Sequence, residues 1–172
     1  MLSYIELVKR LEMPEGPVHM ILDTDTYNEI DDQFALAYAA KDTRHIILDA
    51  VYAAPFFNQN STSPEDGMIR SYKEIQNVLQ LVGRTDIPAY YGSRTYLPDE
   101  KTPVESDAAR DLVRRAMSMP EGEYLYVGAI GAITNIASAM QFTRLCFVLA
   151  IIFVFSRHSI IMIHLKAYHK YY

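Results

Sequence analysis

The sequence predicts an α/β fold, a mainly parallel open sheet flanked by helices. Two patterns carry this reading. Short, largely apolar runs alternate with longer stretches whose apolar residues recur at helical spacing. Strand and helix in regular alternation imply crossover connections, and crossovers join parallel strands. Size supports the same conclusion: 172 residues, half of them hydrophobic and 22% charged, suffice for one soluble domain with a sizeable core.

Taken in order, residues 1–17 begin "MLSYIELVKRLEMPEG", with charges interleaved among apolar positions. This reads as a helical extension, and it lacks the continuous apolar core and small-residue cleavage site of a signal peptide. "VHMILDT" (Val18 to Thr24) is the first strand, apolar enough to be buried on both faces. "QFALAYAAKD" then reads as a helix, with Asp31 and Asp32 just before it as caps that meet the positive end of its dipole. "HIILDAVYAA" (His45 to Ala54) is the second strand. From Pro64 to Val82, Ile69, Tyr72, Ile75, Leu79 and Val82 share one helical face, while Arg70, Lys73, Glu74 and Gln80 lie elsewhere. "IPAYYG" (Ile87 to Gly92) is a third strand. From Val104 to Met119, Ala109, Leu112, Val113 and Ala116 form an apolar face opposite Arg110, Asp111, Arg114 and Arg115. "EYLYVGAI" (Glu123 to Ile130) is a fourth strand, and Thr134 and Asn135 after it suit either a helix N-cap or a ligand contact.

Residues 18–141 thus form the domain, and 142–172 differ in character. The tail contains no Gly, Pro, Asp, Glu or Asn, and its eleven-residue apolar run, Leu145 to Phe155, is shorter than the roughly 20 residues that span a bilayer. Its composition suggests a segment that does not continue the domain natively, although part of it can take the place of the next core strand. A membrane tether is the less favoured reading, and exposure of this run would promote homo-oligomers. The net charge of −5 argues against nucleic acid and anionic membranes as partners. A single cysteine, Cys146, permits no internal disulfide, and the cytoplasm is the expected compartment. His19 and His45 read as packed or edge residues, and most of the 13 tyrosines as core and rim, with Tyr27 set apart by its place in an acidic loop.

That loop is the most informative stretch. "ILDTDTYNEIDDQFAL" crowds Asp23, Asp25, Glu29, Asp31 and Asp32 into ten positions where a core strand ends. In a parallel sheet, ligands bind outside the carboxyl ends of the strands. Crowded carboxylates repel one another and resist desolvation unless they are solvated or share a cation. A single N-cap accounts for one acid, not five. An EF-hand loop starting at Asp23 fails, because its sixth and twelfth places hold Asn28 and Phe34 rather than Gly and Glu. A phosphoryl-transfer loop, with Asp23 as nucleophile and Asp25 as acid/base around Mg²⁺, is the alternative. Against it, the haloacid-dehalogenase-like pattern expects Thr or Val where Tyr27 stands, and it leaves Asp31 and Asp32 unexplained.

Three stretches together resemble the calcium-dependent inosine/uridine-type nucleoside hydrolases. The family signature Asp-x-Asp-Pro-Gly-x-Asp-Asp-x-x-Ala-Leu is similar to Asp23-Thr24-Asp25 followed by Asp31-Asp32-Gln33-Phe34-Ala35-Leu36. "YVGAIGAITNIASAM" (Tyr126 to Met140) is similar to the family segment ending Gly-x-Leu-Thr-Asn-Ile-Ala, and "LVGRTDIPAYYGS" to its helix-to-strand link. One departure is local: "TYNEI" replaces the Pro-Gly turn and is two residues longer, so Tyr27, Asn28 and Glu29 take no role from the family.

The resemblance implies a Rossmann-like, nucleoside-hydrolase-like domain that cleaves the N-glycosidic bond of ribonucleosides. It implies Ca²⁺ held by Asp25, Asp32 and the carbonyl of Ile130, with Asp25 also the base that deprotonates the attacking water. Asp31 would accept bonds from ribose hydroxyls, and Asn58 or Asn60, in "PFFNQNSTS", would add a ribose contact. The family's remaining parts, a distal Asp, ribose-gripping asparagines and a His that assists the departing base, match no stretch of this sequence. The expected activity is therefore impaired, with the domain truncated relative to the family. A non-catalytic remnant that keeps only the sheet is the third hypothesis.

Overall fold

The computed structural model describes residues 14–120 and 123–142, and the backbone of 150–156 and 159–165. The helical extension expected over residues 1–17 lies, through residue 13, outside the described residues, and residues 14–17 enter the sheet without regular structure. The elements are β1 (Val18–Thr24), α1 (Ile30–Lys41), β2 (Ile46–Ala53), α2 (Pro64–Leu81), β3 (Ala89–Tyr90), α3 (Asp107–Ser118), β4 (Leu125–Ala129), α4 (Thr134–Phe142), β5 (Ala150–Ser156) and β6 (Ser159–Leu165).

The sheet runs β3-β2-β1-β4-β5-β6. Strands β1 to β5 pair in parallel, and β6 returns antiparallel along β5. This is the α/β open sheet that the alternating pattern predicts. The chain builds outward from β1 through β2 to β3, then crosses back to lay β4 on the other side of β1. The order reverses between β1 and β4, and a reversal of this kind opens a crevice at the carboxyl ends of the two strands.

Both faces of the sheet are covered, which explains why the strands read as nearly continuous apolar runs. On one face Ile21, Ala50, Tyr52, Leu125 and Val127 pack with Ala109 and Leu112 of α3 and Ile136 and Ala139 of α4. On the other, Leu22, Leu48, Val51 and Ala53 pack with Leu36 and Ala40 of α1 and Met68, Ile75 and Leu79 of α2. Neighbouring residues of one strand therefore serve opposite faces, as the twofold side-chain period requires.

Two helices start as their sequences dictate. Ser63 caps α2 by accepting a bond from the Asp66 amide at 3.1 Å, with Pro64 following it, and Ser106 caps α3 through the Ala109 amide at 3.1 Å. Helix α1 departs from expectation. Its N-cap is Glu29, so Asp31 and Asp32 are not caps but lie within the first turn. The cause is local: the Asp32 carboxylate accepts a hydrogen bond from the Thr24 hydroxyl on β1, which draws it inward instead of back over the helix start. Both acids still meet the helix dipole favourably. Strand β3 is only two residues long, because Pro88 has no amide to give and the Tyr91 carbonyl already accepts from Ala108.

Candidate functional site

The acidic loop lies at the carboxyl end of β1, beside β4, where the strand order reverses. Strand β1 delivers Asp23 at its end and Asp25 just beyond it, while the first turn of α1 brings Asp32 back against Thr24. Asp23 is fully buried, Asp25 is 8% exposed and Asp32 is 6% exposed. Asp31 and Asn60 are exposed, and Asn58 and Ile130 half-buried. The Ile130 amide donates to the Asp23 carbonyl at 2.9 Å, which docks the end of β4 beside the root of the acidic loop. Gly131 follows because the approach is close: a Cβ there would sit 2.8 Å from the Asp25 nitrogen.

Burial raises the pKa of all three buried acids. For Asp23 it lifts the ordinary 3.8 to about 7, opposed by a hydrogen bond from Asn135 and reinforced by the charges of Asp25 and Asp32. Asp25 is also pushed up by burial, against hydrogen bonds that include one from Asn28. Asp32 is raised by burial and by the charges of Asp25 and Asp31, with the Thr24 hydroxyl pulling the other way. Burial and the neighbouring carboxylates thus both disfavour full ionisation of Asp25 and Asp32. A cation among these carboxylates would offset that penalty.

In chemical type these donors suit a hard cation: one buried oxygen, Asp23 Oδ1, has no hydrogen-bond partner, and carboxylate oxygens such as those of Asp25 and Asp32 are the hard donors Ca²⁺ prefers. Among the described residues no group of three or more His, Cys, Asp or Glu side chains is arranged to hold a metal ion. An ion seated on Asp25 and Asp32 would therefore draw the rest of its about six to eight oxygens from main-chain carbonyls and water.

Around these acids stands a polar scaffold. Asn135, on α4, is fully buried and makes five hydrogen bonds. Its Oδ1 accepts from the Ser93 amide at 2.7 Å, the Ser93 hydroxyl at 2.9 Å and the Ser106 hydroxyl at 3.3 Å. Its Nδ2 donates to Asp23 Oδ2 at 2.9 Å and to the Ala53 carbonyl at 3.3 Å. One amide thus ties together the carboxyl ends of β1 and β2, the loop after β3 and the start of α3. The two sequence readings of Asn135, cap or ligand contact, both miss this, since its partners lie up to 112 positions away. Thr134 opens α4 and is also buried.

The asparagines of the loop after β2 turn toward the acidic loop. Asn58 Nδ2 donates to Asn28 Oδ1, and Asn60 Nδ2 donates to the Asn28 carbonyl at 3.1 Å. Tyr27 takes φ = 103°, the only non-glycine residue with positive φ among those described. Its ring lies 5.7 Å from the Arg70 guanidinium, which also reaches the phenol oxygen at 3.5 Å. Tyr96 shares this mouth: burial raises its pKa, a bond from the Phe57 backbone opposes that, and the Asp25 charge adds to it. His19 and His45 sit away from the site, His19 against Asp49 at 2.9 Å and His45 against Asp42 at 2.9 Å.

No helix among the described residues is long and apolar enough to cross a membrane. Comparison with protein-family models gives no match. Comparison with curated proteins likewise gives none.

Proposed function

We propose that this chain carries the N-terminal part of a calcium-dependent nucleoside N-ribohydrolase site. The reading rests on one observation above the others: the loop after β1 and the first turn of α1 bring the buried carboxyl groups of Asp25 and Asp32 together at the point where the strand order reverses. That is where a ligand is expected in an open α/β sheet, and such a pair suits a divalent ion.

Asp25, Asp32 and the Ile130 carbonyl would hold Ca²⁺, which when bound neutralises the carboxylates and lowers the pKa of a coordinated water. The protein's own groups do the rest. Asp25 in its carboxylate form takes a proton from the water that attacks the anomeric carbon. Asp31, exposed beside it, accepts from a ribose hydroxyl and fixes the sugar's orientation. The negative charge of the loop favours the oxocarbenium-like transition state. The magnesium phosphohydrolase alternative asks Asp23 to attack phosphorus, and Asp23 is fully buried with one oxygen held by Asn135. A nucleophile in that position has no path to a substrate without a rearrangement of the core.

The test is release of ribose from inosine and uridine, by this chain and by a chimera whose residues after Met140 come from the second half of an established nucleoside hydrolase. We expect slow or undetectable turnover by the chain itself. The chimera should be active with Ca²⁺ and lose activity on Asp25→Ala. A folded chimera that is inert toward nucleosides but cleaves a phosphomonoester with Mg²⁺ would transfer the assignment to the alternative.

A further inference from the structure

The loop that departs from the family pattern makes contacts that assign it a task. Where Pro-Gly is expected, this chain has the longer "TYNEI", and Asn28 stands at its centre. The Asn28 side chain bridges two loops. Its Nδ2 donates to Asp25 Oδ2 at 2.9 Å, and its Oδ1 accepts from Asn58 Nδ2. Its main chain is also engaged: the amide donates to the Asp25 carbonyl at 2.9 Å, and the carbonyl accepts from Asn60 Nδ2 at 3.1 Å. Asn58 Oδ1 in turn accepts from the Asn60 amide at 2.8 Å.

We propose that Asn28 is a positioning residue for Asp25, and that Asn58 and Asn60 act as its buttress rather than as direct ribose contacts. This rests on the reading of Asp25 as a calcium ligand. The chemistry of the contacts argues for it. An amide nitrogen on Asp25 Oδ2 satisfies that oxygen, fixes the carboxylate plane and leaves Oδ1 for a cation or water. The bond is made to the charged form, so it favours the ligating state of the carboxylate. An amide cannot slide along its own loop when both ends are occupied, and Asn58 occupies the far end. Asn58 commits one hydrogen of its nitrogen to Asn28 and one lone pair of its oxygen to Asn60, so both ends of the amide are engaged in holding Asn28 and only a second hydrogen and lone pair remain for a sugar.

A turn alone does not account for Asn28. The bond from its amide to the Asp25 carbonyl needs no particular side chain, whereas the bonds to Asp25 Oδ2 and from Asn58 Nδ2 need a short group with one donor and one acceptor. Ionised Asp has no donor, Ser carries donor and acceptor on a single shorter-reaching oxygen, and Gln places the amide one methylene farther out. The preceding residue points the same way. Tyr27 holds a backbone conformation that side chains disfavour, at φ = 103°, and Arg70, itself bonded to Asp66 at 2.9 Å, lies against its ring.

Terbium luminescence on the full chain reads the effect directly. The chain has no tryptophan, and Tyr27 in the acidic loop serves as the sensitiser. Tb³⁺ affinity is measured together with the excited-state lifetime in H₂O and D₂O, which counts the waters left on the ion. Hydrogen bonds that hold a metal-ligating carboxylate in place are typically worth about 10- to 100-fold in metal affinity. We expect Asn28→Ala to weaken Tb³⁺ by about 10-fold or more, with a gain in coordinated water, and metal-free melting is measured alongside to show that the variant remains folded. Asn58→Ala should act in the same direction and more weakly. Adding Asn28→Ala to Asp25→Asn should cost nothing beyond Asp25→Asn alone. If Asn28→Ala binds Tb³⁺ as the parent does while Asp25→Asn does not, the positioning role is overturned and the calcium reading stands. If Tb³⁺ binding survives both Asp25→Asn and Asp32→Asn, both are overturned.

Discussion

Asn135 is the most exacting point in the fold, and its removal gives a prediction with a calculable size. Asn135→Ala deletes five hydrogen bonds at a fully buried position. The Ser93 amide loses its 2.7 Å acceptor, and Asp23, which already has one unpartnered oxygen, loses the donor on its other oxygen. Each orphaned buried group costs about 1–3 kcal/mol. The Ser93 and Ser106 hydroxyls rotate to other partners, and a water fills part of the vacated space. Two strongly orphaned groups therefore set the total, on the order of 3–5 kcal/mol, at the upper end of what single substitutions do. The assay is equilibrium unfolding in urea with chelator present, monitored by tyrosine fluorescence and far-UV circular dichroism. Asn77→Ala is the control: an exposed helix residue bonded to Glu74 at 3.1 Å should change stability by less than about 0.5 kcal/mol. A loss of under about 1 kcal/mol for Asn135→Ala would refute the idea that this amide ties the strand ends together.

Three further outcomes follow from the same geometry. Gly92→Ala should destabilise by about 3 kcal/mol or more in the same unfolding assay, because its Cβ would land 1.8 Å from the Ala53 carbonyl oxygen and 2.6 Å from Asn135 Nδ2, neither of which can withdraw. Asp111, buried on α3, is bonded by Arg115, Arg114 and the Tyr52 hydroxyl; burial alone would raise its pKa, but these partners hold it below 3.8. A depressed carboxyl contributes stability above its unfolded pKa and loses it as the pH falls through the folded value. Asp111→Asn should therefore cost about 3 kcal/mol at pH 7, with the gap to the parent closing in unfolding curves below pH 3.8. Finally, the rise in melting temperature on adding Ca²⁺ should grow with pH across the neutral range, because ligation must displace the protons that burial favours on Asp25 and Asp32.

The sheet was legible in the sequence because burial on both faces leaves a chemical trace. Strand β1 occupies the seven residues of "VHMILDT", and α2 covers 18 of the predicted positions, ending at Leu81 rather than Val82. Helix α1 was harder, since Ile30, Phe34 and Tyr38 are 65–70% exposed and blur the amphipathic pattern that normally marks a helix. Its start was misread for a separate reason: an Asp before an apolar stretch looks like a cap, and only the fold puts Thr24 within reach of Asp32. In the site, the crowding of acids at a strand end was plain from spacing. Asn28 and Asn135 were not, because what defines each is a partner supplied by another loop. Asparagines in turns and helix starts are common enough that neither stood out.

The central claim is that Asp25 and Asp32 form one cation site in which Ca²⁺ competes with the protonation that burial favours on both carboxyls. Calorimetric titration of chelator-treated protein with CaCl₂ near neutral pH, repeated in two buffers of different ionisation enthalpy, measures both binding and proton release. The account predicts one Ca²⁺ per chain, release of a fraction of a proton on binding, weaker binding of Mg²⁺, and loss of the signal in Asp25→Asn with Asp32→Asn. Binding of Ca²⁺ that is unchanged in that double variant, or no binding by the folded parent at millimolar Ca²⁺, would contradict it.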